Sequence, residues 1–443
     1  MAFHQDFLFD KIATHTFITS VVFGAMIVYA VSSFYIIIHS SKFPGPPIAA
    51  VSNVWYAYHW LSGRYPWAVE RALRKYGDRV RIAPNELVFV TPQATFDIYI
   101  SHEKNHELFK KTDFQNRGTD LAADLSWDEK MHEMRDMKNS VYLDVLLGFN
   151  LFSTVIQVFK RFPLLDMFQY LFVPFNKLKT FVNIERHTRS KINQRIEMNG
   201  HTEHPDFFDF ILPAGTPRPT NPREATHLGS VSMQLMFAAF GPMSDWFYAT
   251  IFFLLEEPIC YKHLIEEVRN AFKTYADIVP RSLTSLAYLN ACLAESLRVH
   301  PSNDSGLPRF SPGALIDGEF IPKGSRVQTS IFALSRSPRY FHDPLHYRPQ
   351  RWLSSNHPLY EDKFAKDALE HLFSFSLGPR ACIGRDMTWM QARLFMAKLL
   401  WTFDVIRVPG QQIDLERSLL HYGFLIKPEL KVRFVPVRKD ETR

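Results

Sequence analysis

Near its C-terminus the chain reads Phe375-Ser376-Leu377-Gly378-Pro379-Arg380-Ala381-Cys382-Ile383-Gly384, and this run constrains the fold more than any other. Directly after the cysteine, Ile383, Met387, Met390, Leu394, Ala397 and Trp401 recur at steps of three and four residues, which marks one face of a helix. Cys382 is therefore expected at a helix N-terminus. There the macrodipole and free N–H groups favour an anion, typically by ~0.3–1 kcal/mol and up to ~2 kcal/mol when partly buried. Such a site holds a thiolate, although a free thiol has a pKa of ~8.5. Gly378 and Gly384 lack Cβ, so a tight loop can turn its amides toward the sulfur and lie flat against a planar ligand. A cysteine alone is more often a buried structural residue. With Phe375, both glycines, Arg380 and the helix in register, Cys382 reads instead as the axial ligand of a haem iron. Arg380 would then be a charge-assisted partner for a haem propionate.

The pattern Phe-x-x-Gly-x-Arg-x-Cys-x-Gly resembles the cysteine loop of the cytochrome P-450 haem-thiolate monooxygenases. Further matches follow in the order that family requires. Glu295-Ser296-Leu297-Arg298 lies on an apolar-periodic helix (Leu286, Leu289, Leu293, Leu297) and is similar to the Glu-x-x-Arg element. Tyr347-Arg348-Pro349-Gln350-Arg351-Trp352 resembles the segment whose arginine completes a Glu-Arg-Arg triad. An i, i+3 Glu/Arg pair alone contributes ~0.2–0.5 kcal/mol on a solvated face. As a triad, Glu295, Arg298 and Arg351 are expected to be buried behind the cysteine loop, where loss of one member costs ~3–5 kcal/mol. Arg309 matches a position that contacts a propionate. The resemblance implies a mainly α fold with minor β and haem b bound through Cys382, Arg380, Arg309, Phe375, Gly378 and Gly384. It also implies electrons from an NADPH-dependent cytochrome P-450 reductase.

No Lys, Arg, Asp or Glu occurs between Lys11 and Lys42. Helical residues 15–38 would span ~36 Å, enough for a tilted crossing of a ~30 Å hydrocarbon core. A cleaved signal peptide is the rival, but its apolar core would be shorter and lead to a small-residue cleavage site. The expectation is an N-terminal transmembrane helix in residues 1–42, a stiff proline hinge at 43–47 and one catalytic domain over 48–443. Asp6 and Asp10 precede the apolar run and Lys42 follows it, which places the body on the cytosolic side, and the resemblance to microsomal members implies the endoplasmic reticulum membrane. Three cysteines make no disulfide framework and fit a reducing compartment. A net charge of +6 without a Lys/Arg block gives nucleic-acid binding little support, while suiting membrane lipid and an acidic protein partner.

Alternation at 79–82 and 87–90 around Ala83-Pro84-Asn85-Glu86 predicts a hairpin. Turn signals at Asp317-Gly318 and Pro322-Lys323-Gly324 predict further small strands between Ala314 and Arg326. Ser230–Leu255 is nearly uniformly apolar. With Gln234, Asp245 and Gly241-Pro242 inside, it reads as a buried helix rather than a second membrane span.

Two departures from the family matter. The helix threonine that assists oxygen activation falls on Pro242, which offers no hydroxyl and no N–H. Ser244 and Asp245 are the candidate replacements for its proton relay. In addition, Phe114–Gly118 runs straight into Thr119–Leu125, where the family places a Trp-x-x-x-Arg helix and further helices; Trp127 does not restore that contact. An internal deletion near 118–119, whether a gene-model error, a splice form or genuine loss, predicts weakened order over 115–140.

By analogy Phe240, Gly241, Phe310 and Tyr422 are expected to line a cavity for a hydrophobic small molecule, although ordinary core packing explains such aromatics equally well. The reading is a monooxygenase of the fungal secondary-metabolite kind, on polyketides or terpenoids by resemblance alone. A haem-thiolate isomerase or dehydratase that uses no O2 is the first alternative. A catalytically inactive truncated member or membrane-held binding protein is the second.

Overall fold

The computed structural model describes residues 43–100, 109–111, 141–173, 193–198, 221–302, 304–422 and 424–437, with single positions at 20, 24, 28, 31, 186 and 190. The body is mainly helical with small sheets at its edge, in agreement with the sequence. Among the described residues no helix is long and apolar enough to cross a membrane. The expected transmembrane helix at 15–38 therefore gains no support; all but four of its positions lie outside the described residues, as do the junction at 118–119, Trp127 and the stretch 115–140. The hinge is shorter than expected. Pro47 already opens a helical turn, α1 (Pro47–Val51), and Phe43 is buried beside the first sheet.

Helices α2 (Val54–Leu61) and α3 (Tyr65–Tyr76) lead into β1 (Arg79–Ala83) and β2 (Glu86–Phe89), the predicted hairpin, with Val80 opposite Val88. Thr91 then caps α4 (Pro92–Tyr99) by accepting from the Ala94 amide, and Pro92 fits the first turn because its missing N–H would be unpaired there anyway. Strands β3 (Lys110–Lys111), β4 (Arg309–Phe310) and β7 (Arg326–Thr329) complete a five-stranded sheet in the order β1-β2-β7-β4-β3. The turn signals at 317–318 join β5 (Ala314–Ile316) to β6 (Glu319–Ile321).

Helix α5 (Val141–Phe159) is pinned to this region at its C-terminal end. Gln157 Nε2 donates to Tyr56 Oη at 2.5 Å, and Arg161 lies 2.6 Å from Glu86, both side chains largely buried. A 3-10 segment, Pro163–Phe172, follows on the outside.

The main core gathers α6 (Pro222–Glu256), α7 (Pro258–Ala271), α8 (Ala287–Val299) and α10 (Arg385–Thr402), with the short α9 (Ile331–Ser335) packing beside α3. Leu254, Leu264, Leu289, Leu293, Met396 and Leu400 meet there fully buried. The first free amides of α8 are satisfied from outside: Glu267 on α7 accepts from the Tyr288 and Leu289 amides, each at 2.8 Å. The run around Ser230–Leu255 is thus part of one helix with Pro242 inside it, and its C-terminal part brings Trp246, Ala249, Phe252 and Leu254 into the core. Paired strands β8 (Phe403–Arg407) and β11 (Val432–Pro436), and the hairpin β9 (Leu420–Tyr422) with β10 (Phe424–Ile426), close the C-terminal end.

Candidate haem-thiolate site

The cysteine loop is held from inside by its own backbone. The Cys382 amide donates to the Phe375 carbonyl at 2.8 Å and Ala381 to Gly378 at 2.9 Å. Gly378 has φ +68°, and a Cβ there would stand 2.1 Å from the Tyr99 carbonyl oxygen, so only glycine fits. Gly384 is different from expectation: its φ is −86° and a Cβ would meet only ordinary contacts, Thr388 Oγ1 at 3.7 Å and Cys382 Sγ at 4.0 Å. The helix begins at Arg385, two positions later than the periodicity suggested, so Ile383 is off the helix face and 96% exposed. Met390 is also exposed, while Ala397 and Trp401 carry the buried end of that face.

Behind the loop the three charged residues come together without solvent exposure. Arg298 donates Nε and Nη2 to the two Glu295 oxygens at 2.8 and 2.7 Å, and Arg351 Nε donates to Glu295 at 3.1 Å. Two further donors were not foreseen: Trp352 Nε1 and the Arg348 amide, each 2.8 Å from the carboxylate. The arginines spend their remaining hydrogens on the carbonyls of Ser335, Pro344 and His342, and Arg351 also pairs with Asp367. Burial works to raise the Glu295 carboxyl, but Arg298 and Arg351 together with these hydrogen bonds hold it below its ordinary value. Ser374 Oγ donates to the Leu297 carbonyl at 3.3 Å and couples this knot to the cysteine loop.

Trp246, which sequence reasoning passed over, is the second brace. Its ring meets Phe375 edge-on at 6.2 Å and Trp389 at 5.0 Å, and its Nε1 donates to the Leu293 carbonyl. It thereby joins α6, α8, α10 and the loop. Its place among Phe247, Tyr248, Phe252 and Phe253 on one largely apolar helix hid the signal.

The donor set fits haem. Cys382 is exposed beside an almost bare Ile383, an arrangement that a planar apolar ligand would cover. Arg309 is buried at the start of β4, over the Tyr99 ring at 5.2 Å. Burial pushes its guanidinium pKa down; Tyr99 acts against this, and the like charge of Arg380 adds to it. The like charges of Arg309 and Arg380 lie within electrostatic reach of each other, and a haem propionate is an anion that would relieve their repulsion. Tyr99 fixes the spot by donating to the Leu307 carbonyl at 2.9 Å.

The remaining expected site residues divide. Ser244 and Asp245 are side by side on α6, but Lys427 claims both, at 3.0 and 2.5 Å. Gly241 is half-buried at the proline break, and Ser302 Oγ donates to the Pro242 carbonyl at 3.2 Å. Phe310 lies on β4 under Arg326, 5.2 Å from its guanidinium, and Tyr422 packs on Gly63. The Phe240 side chain lies outside what is described.

A model of the cytochrome P450 family matches residues 100–432. Cytochrome P450 monooxygenase TwmD of Talaromyces wortmannii is 41% identical over 466 residues, covering 89% of this chain and 91% of that one. Cytochrome P450 monooxygenase poxC of Penicillium oxalicum is 32% identical over 429 residues, covering 89% of each. Cytochrome P450 monooxygenase btcC of Colletotrichum orbiculare is 28% identical over 490 residues, covering 94% and 93%. The chain belongs to the cytochrome P450 family. It is accordingly an oxidoreductase whose cofactor is haem b held by a thiolate. Of the three described cysteines Cys382 alone is exposed, while Cys260 and Cys292 are buried.

Proposed function

We propose that this protein inserts one atom of O2 into a hydrophobic small molecule of fungal secondary metabolism, with electrons from an NADPH-dependent reductase. The observation that carries the reading is the exposed Cys382 loop seated on a fully buried Glu295–Arg298–Arg351 knot, together with the names of the relatives. Arg309 and Arg380 hold the propionates. Ser244 and Asp245 serve as the displaced proton relay, positioned by Lys427 one turn beyond Pro242. Ser244→Ala is expected to raise peroxide release per NADPH consumed; an unchanged ratio would remove Ser244 from that role.

An endoplasmic reticulum membrane location is supported by the long uncharged N-terminal run and by an exposed apolar face. Exposed apolar side chains stand in both segments that meet where Asn53 Nδ2 donates to the Arg161 carbonyl: Ile48, Val54 and Tyr58 in one, Leu164, Met167 and Leu171 in the other. An internal deletion is supported by the alignment with TwmD, which runs over 466 positions yet uses 89% of a 443-residue chain.

The first test is the reduced, carbon-monoxide-minus-reduced difference spectrum of microsomes containing the protein. A strongly red-shifted Soret band is expected; its absence with folded protein present would defeat the reading. Pro242 within α6 favours one second reading, an isomerase or dehydratase that does not use O2. Turnover without NADPH would single it out.

A further inference from the structure

Between the broken turn of α6, the connection from α8 to β4 and the β9–β10 hairpin lies a buried ionic cluster that the proposed chemistry uses only in part. Lys427 Nζ donates to Ser244 Oγ and Asp245 Oδ1, and Asp245 is 4% exposed. Asp304 and His421 are both buried, Oδ1 and Nδ1 2.8 Å apart but not aligned for a hydrogen bond. Asp245 senses Asp304 and His421 electrostatically, and the buried His300 senses Lys427, so the groups share one neighbourhood.

Four atoms in it have no hydrogen-bond partner among the described residues: Asp304 Oδ1 and His421 Nδ1, which face each other, and His300 Nε2 and His421 Nε2, for which no facing group is found. Leaving a buried ring nitrogen unpaired costs ~1–3 kcal/mol, which a ligand hydrogen bond recovers. The cluster is not sealed. The Lys427 side chain keeps 21% exposure, next to half-buried Ser244 and Gly241 and the exposed Pro242. This opening adjoins the turn of α6 that carries Pro242.

The geometry points to a polar subsite at this opening, built by His300 and His421, that takes a neutral oxygen group, a hydroxyl or a carbonyl, of an otherwise apolar substrate. The proposal rests on the oxygenase reading and names the substrate class for it. Charge decides against a carboxylate. Lys427 is committed to Asp245, and His421 lies against Asp304, so neither leaves a free cation for a further anion, while desolvation pushes His300 down to about 4 and leaves it neutral at pH 7. A further buried anion would therefore be unpaired. A neutral imidazole offers one donor and one acceptor and suits a hydroxyl or carbonyl.

The test uses the full chain in nanodiscs with three probes of one apolar body: 4-phenylbutan-1-ol, 4-phenylbutanoate and butylbenzene. Binding is measured calorimetrically against empty nanodiscs, a readout that needs neither turnover nor haem. The alcohol is expected to bind at least about tenfold more tightly than the other two, because a site that must hydrogen-bond rejects analogues that cannot. In His300→Leu that preference should shrink to about twofold or less, while the melting temperature stays level or rises, since an unpaired buried polar atom has been removed. Equal binding of alcohol and hydrocarbon, or tightest binding of the carboxylate, would overturn the proposal. So would full preference retained in His300→Leu, or a melting temperature that falls, which would make His300 a structural residue. Failure of the oxygenase reading appears separately, as a missing carbon-monoxide band in a chain that still discriminates among the probes.

Discussion

At the scale of single residues, Gly378 is the most constrained position of the site. Gly378→Ala forces a Cβ against the Tyr99 carbonyl at a left-handed φ, so a loss of more than about 2 kcal/mol is expected, read by denaturant unfolding, together with loss of the carbon-monoxide band. Two other residues set the response to acid. His300 titrates at about 4 when folded and 6.5 when unfolded, so the unfolded chain binds the extra proton between those values. Stability is full above pH 6.5 and falls by up to about 3 kcal/mol as the pH drops to about 4. Glu295, held below 4.5, adds its own loss as the pH falls further toward its folded value. In His300→Leu the loss of unfolding free energy between pH 7 and pH 4 should shrink by the histidine's share. Cys382, Arg309 and the triad were legible as residues because each belongs to a short pattern. Lys427 was not, since its partner Asp245 lies 182 positions away.

At the scale of elements, α6 holds the main tension. Thirty-five residues, Pro222–Glu256, run as one helix although Pro242 removes an amide and presses on the preceding turn, a defect worth ~3 kcal/mol in an isolated helix. Ser302 donates to the Pro242 carbonyl and Lys427 ties the next turn to the β10 end, which offsets part of that cost. Pro242→Ala should restore the amide and raise stability by about 1–2 kcal/mol, measured by urea unfolding; a decrease would mean that the surroundings are built around the ring. Apolar periodicity located α6, α8 and α10 because their burial is one-sided or complete. It misjudged the start of α10: Ile383 suits a helix face by sequence, but the chain reaches helical geometry only at Arg385, after the loop has turned around Cys382.

At the scale of the whole molecule, the helical core and the small sheets pack around the cysteine loop, and the first described segment carries exposed apolar side chains at Ile48, Val54 and Tyr58. Full-length protein should remain in the microsomal pellet after washing with alkaline carbonate, which strips surface-bound proteins; release into the wash would remove the spanning anchor. The sequence by itself determined the cysteine-loop motif and the family it marks, the Glu-x-x-Arg helix and the mainly α architecture with its first hairpin. Those depend on neighbours within about one helical turn or one tight turn, where spacing dictates geometry. The tertiary structure alone decided what surrounds them. It brought Trp246 against Phe375, Trp352 to Glu295, and Lys427, Asp304, His300 and His421 to one buried place. Contacts between segments far apart in the chain depend on how whole helices and hairpins pack, and no local pattern encodes which charge will meet which.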